Sequence, residues 1–150
     1  MYAVGVPLVW ARSGLFRGRM ATVKQGATLP AYGFVESTIF TAKVYDYLSD
    51  EEYAELQLAL AKDPLAGDVI KGTGGLRKVR WADKRRGKGK RGGTRIIYFV
   101  IDEDGVIYLL TIFDKDEMTD LNHRECKALK TLVDAEKEAR RARRAKGRAR

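Results

Sequence analysis

Lys78, Arg80 and Arg95 are the residues of this sequence best placed by type and spacing to do chemistry. In the run Leu76-Arg77-Lys78-Val79-Arg80-Trp81-Ala82, strand alternation puts Lys78 and Arg80 on one face and Arg77, Val79 and Trp81 on the other. Arg95 is the lone charge in the otherwise apolar and aromatic run Thr94 to Ile101. Burying it unpaired would be costly, so it is expected to point outward beside Lys78 and Arg80; the plain alternative is that it pairs with a core carboxylate and holds the sheet together. Three converging cations suit a phosphate group on which charge builds up in a transition state. The two runs are joined by Asp83 to Gly93, which holds six cations (Lys84, Arg85, Arg86, Lys88, Lys90 and Arg91) and four glycines. Glycines let a backbone come close to a phosphate chain, and the cations would displace its counterions. No G-x-x-x-x-G-K-[ST] run is present, so this is not a nucleotide-binding P-loop. The plain alternative is a solvated basic face, or phosphate binding without specificity.

Other reactive residues read more simply. Asp102, Glu103 and Asp104 precede Gly105 and are expected in a solvated hairpin turn rather than around a metal. Asp114, Asp116, Glu117 and Asp120 lie before the last helical run, where acids favour the positive end of the helix dipole. His123 falls in the first turns of that helix and reads as a surface residue, with an auxiliary role in proton transfer as the functional alternative. Cys126, one turn on, reads as a small half-buried apolar residue.

Composition bounds the function. The 150 residues suit one domain with an extension at either end, and 45% hydrophobic with 33% charged residues is a globular composition. A single Cys excludes an intrachain disulfide and a Cys-based zinc site, and a single His excludes paired-imidazole catalysis. No apolar run approaches the ~20 residues that span a bilayer, so no membrane is expected as a partner, and the cytoplasm is the expected compartment; no cofactor is expected either. The net charge of +9 is unevenly spread: residues 71–95 carry eleven cations against one acid, while the segments 34–70 and 96–136 are each net −6. Residues 137–150 form a second basic block of eight cations and one acid. This pattern implies one electropositive site on a moderately acidic body, with a basic tail and a polyanionic partner.

The elements that would position these residues follow from periodicity. Residues 1–33 are punctuated by glycine and proline without sustained period and read as a poorly ordered extension, with Met20 available as a later start. Phe34 to Phe40 reads as a strand and Thr41 to Leu48 as a short helix. Ser49-Asp50-Glu51-Glu52 is a capping box opening an amphipathic helix to about Ala61, which Pro64 and Gly67 end. Leu76–Ala82, Thr94–Ile101 and Val106–Phe113 read as strands, the last two apolar on both faces and therefore central. Helix is predicted from Met118, with Leu121, Ala128, Leu129, Leu132 and Val133 as its buried stripe. Beyond Val133 the stripe stops, so residues 135–150 are expected to form a basic tail, a frayed or solvent-exposed helical extension. The fold class is α+β, with a small antiparallel-dominated sheet of about four strands and helices on one face.

The runs Phe34-Val35-Glu36-Ser37, Tyr47 to Tyr53, Gly67-Asp68-Val69-Ile70-Lys71-Gly72-Thr73-Gly74-Gly75-Leu76-Arg77-Lys78, Gly87-Lys88-Gly89-Lys90-Arg91-Gly92-Gly93 and Tyr108-Leu109-Leu110-Thr111-Ile112 resemble the HigB-type toxins of the RelE/ParE superfamily. The resemblance covers about residues 34–134. It implies a RelE-like fold and the toxin of a type II toxin–antitoxin pair, which enters the ribosomal A site and cleaves the mRNA there. It also implies the ribosome and mRNA as partners, together with a cognate helix-turn-helix antitoxin. Carried over by position, Lys78 and Arg80 match the two basic residues of the second strand of such toxins and Arg95 the arginine of the third. Lys115 lies next to the basic position after the fourth strand, although the aligned residue is Asp116. Leu121-Asn122-His123 stands where the family has a tyrosine, which leaves His123 as a possible auxiliary group. Arg77 and the six loop cations are the expected nucleic-acid contacts.

That chemistry is physically coherent without a metal. Attack of an RNA 2′-OH on its own phosphodiester needs in-line geometry and charge placed where it develops on phosphate. An arginine fork can grip two phosphate oxygens, and a lysine crowded by cations can move a proton. Two other readings stand beside it: a non-catalytic ParE-like inhibitor of a protein such as gyrase, and a plain RNA- or ribosome-binding module. The N-terminal reading carries its own test. A chain begun at Met20 is expected to melt at the same temperature and be as toxic as the full chain, and a loss of several degrees would show that the removed segment packs on the core.

Overall fold

The structure, a computed structural model, describes residues 21–22, 32–82, 93–115 and 121–148. Six strands form one sheet in the order β1-β2-β6-β5-β4-β3. They are β1 (Ala21–Thr22), β2 (Gly33–Glu36), β3 (Asp68–Val69), β4 (Arg77–Trp81), β5 (Thr94–Ile101) and β6 (Val106–Asp114). Three helices, α1 (Thr38–Tyr47), α2 (Asp50–Lys62) and α3 (His123–Arg148), complete the α+β fold. Four of the strands are the predicted ones, and β1 and β3 add two residues each. All neighbouring pairs are antiparallel except β2 with β6.

Ser37 divides β2 from α1, which corrects the expected strand over Phe34–Phe40. Its Oγ accepts the Phe40 N–H at 3.0 Å and so caps a helix that begins at Thr38. The same hydroxyl donates to the Leu110 carbonyl, and the Ser37 N–H donates to Leu109 O at 2.9 Å. The expected capping box at α2 is present, with Ser49 Oγ accepting from Glu52 N and Glu52 Oε1 from Ser49 N, both at 3.2 Å.

β5 and β6 are the centre of the sheet and are buried along nearly their whole length. On one face Phe40, Val44, Leu56 and Leu60 of α1 and α2 pack against Phe34, Ile96, Tyr98, Ile107 and Leu109. The expected covering of one face by helices is met there. The opposite face carries a second cluster, in which Leu129 and Val133 of α3 pack with Val35, Leu76, Ile97, Phe99 and Tyr108. Gly67, in the loop after α2, passes so close to the sheet that a Cβ there would lie 2.9 Å from the Tyr98 ring and 3.0 Å from the Lys78 carbonyl.

Three other expectations change. The sheet reaches back before Phe34: Gly33 belongs to β2, β1 pairs with it, and Tyr32 packs on the core and donates to Asp102. The rest of residues 1–33 lies outside the described residues. Asp102–Asp104 form one 3-10 turn closed by Gly105 at φ 61°, but Asp104 is not a solvated turn residue. α3 begins at His123, behind Asn122 whose Oδ1 accepts the Glu125 N–H at 2.8 Å; residues 116–120 lie outside the described residues.

Of the two expectations for residues 135–150, the helical extension is the one found: α3 runs to Arg148. Helical propensity alone would leave such an extension marginal. It is held instead by the β5–β6 turn. Arg140 Nη1 donates to Asp104 Oδ2 at 2.8 Å and Arg144 Nη1 to Asp104 Oδ1 at 3.0 Å, while Arg144 Nη2 reaches Glu103 Oε2 at 3.0 Å. Arg140 Nε also donates to the Tyr108 hydroxyl, which donates to Glu136 Oε1 at 2.8 Å. Tyr108 stacks on Phe99 with ring centroids 4.5 Å apart. Burial pushes the Tyr108 hydroxyl well above its ordinary pKa, and Glu136 adds to this against the pull of Arg140. No helix among the described residues is long and apolar enough to cross a membrane.

Burial opposes ionisation of Asp104, but the hydrogen bonds and charges of Arg140 and Arg144 outweigh it and hold the carboxyl below the usual carboxylate range. Its contribution is therefore complete above the unfolded value of ~3.9 and is lost as the pH falls through the lower folded value. Asp104→Asn is expected to cost about 2 kcal/mol at pH 7, the scale of a charge-assisted hydrogen bond left unmade. Urea melts of parent and variant should converge at acid pH, and a gap that stays constant with pH would show that the carboxylate charge is not what holds α3.

Candidate nucleic-acid interface

Register decides what the strand cations can do together. β4 pairs with β5 so that Arg80 lies opposite Arg95 and Lys78 opposite Ile97. Opposed residues share a face, so Arg80, Lys78 and Arg95 are brought together as expected, on the side that also carries α3. The pair Arg80–Arg95 puts two guanidinium groups on directly opposed backbone positions roughly 4.5–5.5 Å apart. Like charges so placed destabilise a sheet by up to ~1 kcal/mol. Arg80 is exposed, and its side chain makes no ion pair or hydrogen bond among the described residues. Lys78 is half-buried beside it.

Arg95 does not point into solvent, which corrects the expectation drawn from its isolation in the sequence. It is 5% exposed, with Phe113 of β6 opposite it on its other side. Its Nη1 is 3.4 Å from the Gly93 carbonyl. The same carbonyl accepts the Lys115 N–H at 3.3 Å, so Gly93 ties the start of β5 to the end of β6. Lys115 itself is exposed at that corner. Arg95 is thus a buried positive charge behind Arg80, not a second surface contact.

The chain leaves the sheet at Ala82 and re-enters at Gly93, next to the last register pair Trp81–Thr94. The basic loop is therefore tethered at the end of the sheet that carries Arg80, Arg95 and Lys115. Its cations Lys84, Arg85, Arg86, Lys88, Lys90 and Arg91 lie outside the described residues. Arg77 faces the other way, opposite Tyr98, and its Nη1 donates to Gly67 O at 2.7 Å and Leu65 O at 3.3 Å. Those bonds brace the loop after α2, a structural use that departs from the expected nucleic-acid contact. His123 is exposed as the first residue of α3.

A cavity of about 330 Å³ lies against the edge of β4 and is lined by residues of α2 and β4, among them Leu60, Val79, Arg80 and Trp81. Among the described residues no three His, Cys, Asp or Glu side chains are grouped to hold a metal.

Besides Glu136, two buried carboxylates escaped the sequence reading. Glu36 is 6% exposed and accepts from the Tyr53 hydroxyl and from Thr41 Oγ1 at 2.9 Å. Burial first, and the Glu36 charge second, raise the Tyr53 hydroxyl well above its ordinary pKa. The only sequence signal was an acid closing a run of β-formers. Asp114, read as a helix-capping acid, is instead fully buried in β6 opposite Thr94. No known protein-family model matches the chain.

The opposed arginines make a specific energetic statement. Removing one like charge should relieve repulsion, so Arg80→Ala is expected to leave the melting temperature unchanged or raise it, by up to ~1 kcal/mol in stability. Arg95→Ala removes a buried side chain that packs in the sheet and is expected to destabilise by about 2 kcal/mol or more. Calorimetry of both variants checks this, and a clear loss of stability in Arg80→Ala would mean that Arg80 is a structural contact.

Proposed function

We propose that this protein is a ribosome-dependent mRNA endonuclease of the HigB type, the toxin of a toxin–antitoxin pair. The observation that carries the reading is the cross-strand pair Arg80–Arg95, with Lys78 on the same face and the stems of the basic loop at the same end of the sheet. A sheet gains no stability from two opposed arginines, whereas a phosphodiester seated on the exposed Arg80, with Lys78 beside it, would meet positive potential.

In this reading the nucleophile belongs to the RNA. The 2′-oxygen attacks the adjacent phosphorus, the bond to the 5′-oxygen breaks, and negative charge builds on the non-bridging oxygens. Arg80 is the exposed guanidinium that grips those oxygens in bidentate fashion. Arg95 lies behind it, buried at the same end of the sheet, and positions the strand that faces Arg80. Lys78 stands on the same strand face, placed to exchange a proton with the 2′-oxygen or the leaving oxygen. Lys115 and the loop cations hold the flanking backbone, and the ribosome supplies the in-line geometry. The same face is electrostatically suited to an acidic segment of the antitoxin.

Cleavage on programmed ribosomes tests the proposal directly. Arg80→Ala and Lys78→Ala are each expected to slow A-site cleavage by roughly 10²-fold or more while remaining folded, as for other preorganised electrostatic contacts. Folded Arg80→Ala protein that cuts at the parent rate would overturn the site. Translation blocked without any cut in the mRNA would favour a non-catalytic inhibitor instead.

A further inference from the structure

The C-terminal half of α3 has no role in the site above, yet the fold fixes it firmly. Two of its arginines are spent on the body of the protein. Arg140 and Arg144 close on the acidic turn, with side-chain exposures of 11% and 33%. What they hold out is a helix face of a different kind. Arg141, Lys146 and Arg148 are exposed, and Arg141 and Arg148, seven residues apart, lie on one stripe two turns long, roughly 10 Å. The partner of Arg141, Glu138, is itself 69% exposed at i−3, a pairing weak enough to exchange for another anion. No acid occurs between Ala139 and Arg150.

We infer that this part of α3 is a second RNA-binding element, which docks on the phosphate backbone of an RNA duplex. The occupant follows from what the helix lacks. From Asp134 to Arg150 alanine is the only apolar side chain: no Leu, Ile, Val, Met or aromatic residue is present. A protein partner would need a buried aromatic or aliphatic anchor, and a lipid surface an apolar face to insert. No Ser, Thr, Asn or Gln follows Thr131, so arginine and lysine are the only polar side chains able to donate to a nucleic acid. Such a surface reads charge and not base sequence. Duplex RNA is bound in that way, through phosphates and shape.

The position gives the element a purpose. The acidic turn that clasps α3 follows Ile101, at the far end of β5 from Arg95. Six residues of strand separate the two by roughly 20 Å. The protein therefore carries cations at both ends of its sheet, and an RNA assembly engaged at one end would be held at the other by a largely intramolecular step. The choice of RNA over DNA rests on the function proposed above; the phosphate-binding face does not.

Binding of a labelled 20-base-pair RNA duplex, followed by anisotropy between 50 and 200 mM salt, tests the inference. The parent is expected to bind with steep salt dependence. The triple variant Arg141→Ala/Lys146→Ala/Arg148→Ala, which keeps Arg140 and Arg144, is expected to bind at least 10-fold more weakly at 150 mM, with the logarithmic salt slope reduced by about 2 to 3. Circular dichroism checks that its helix content is unchanged. Equal affinity and slope in parent and variant would overturn the inference, as would tighter binding of a DNA duplex or of polyglutamate than of RNA. Cleavage on ribosomes in the same preparations separates the two proposals. A protein that binds the duplex through α3 but never cuts mRNA removes the catalytic reading alone, and one that cuts mRNA while the triple variant binds duplex normally removes this one.

Discussion

A single bulge in β6 fixes the geometry of the molecule. Ile97 pairs with Thr111 and Tyr98 with Leu109, so Leu110 is passed over in the ladder. Both Leu110 and Thr111 then fall on the α3 side, and the alternation of β6 changes phase at that point. The carbonyl of the bulged residue is taken by the Ser37 hydroxyl, and the Ser37 N–H takes the carbonyl of Leu109. One serine thereby satisfies the bulge, ends β2 and starts α1. Upstream of the bulge Ile107 and Leu109 serve the α1–α2 core; downstream, Ile112 does the same and Phe113 lies beside Arg95. A register slip of one residue would turn Arg95 into the α1–α2 core and bring Ile96 out in its place.

The protein uses arginine in two opposite ways. Arg140 and Arg144 face carboxylates and rings, and their charge is spent on holding a helix. Arg80 faces another arginine, and its charge is left over. The first arrangement gives up positive potential for structure, and the second gives up stability for positive potential. Between them lies the pair of central strands, apolar on both faces, which keeps the two regions apart and the dielectric between them low. The segregation of charge along the chain thus becomes a segregation in space.

What the sequence disclosed and what it hid follow the same physical lines. β4, β5 and β6 were legible because their apolar patterning is forced by burial, and the capping box at Ser49 because its chemistry is local. The junction at Ser37 was not, since Ser37-Thr38-Ile39-Phe40 suits a strand as well as a helix start. A tertiary bond to the bulge decides it. What holds the helix beyond Val133 was hidden because patterning looks for apolar stripes, and this segment is held by ion pairs to a turn 36 or 40 residues earlier in the chain. Arg95 misled in another way. A lone charge in a central strand was read as outward because unpaired burial is costly, but opposition to Arg80 and contact with a carbonyl place it inside. The convergence of Lys78, Arg80 and Arg95 needed only strand alternation and adjacency of β4 and β5, and that part was readable.

The parallel pairing of β2 with β6 bears on how the chain is born. Phe34 lies beside Ile107, 73 positions later, and everything between them must be synthesised before the pair can close. At ~5–20 residues per second that wait lasts roughly 4–15 seconds. During it α1 and α2 are already synthesised, with Phe40, Val44, Leu56 and Leu60 still lacking the strands that they pack against. β5 and β6 are local to each other and are the last strands of the sheet to be made, and the earlier half of the chain must then dock onto them. The cation pair on β4 and β5 has no fixed geometry until the hairpin of β5 and β6 is complete, so the nascent chain acquires its concentrated positive face only after Asp114 has been made.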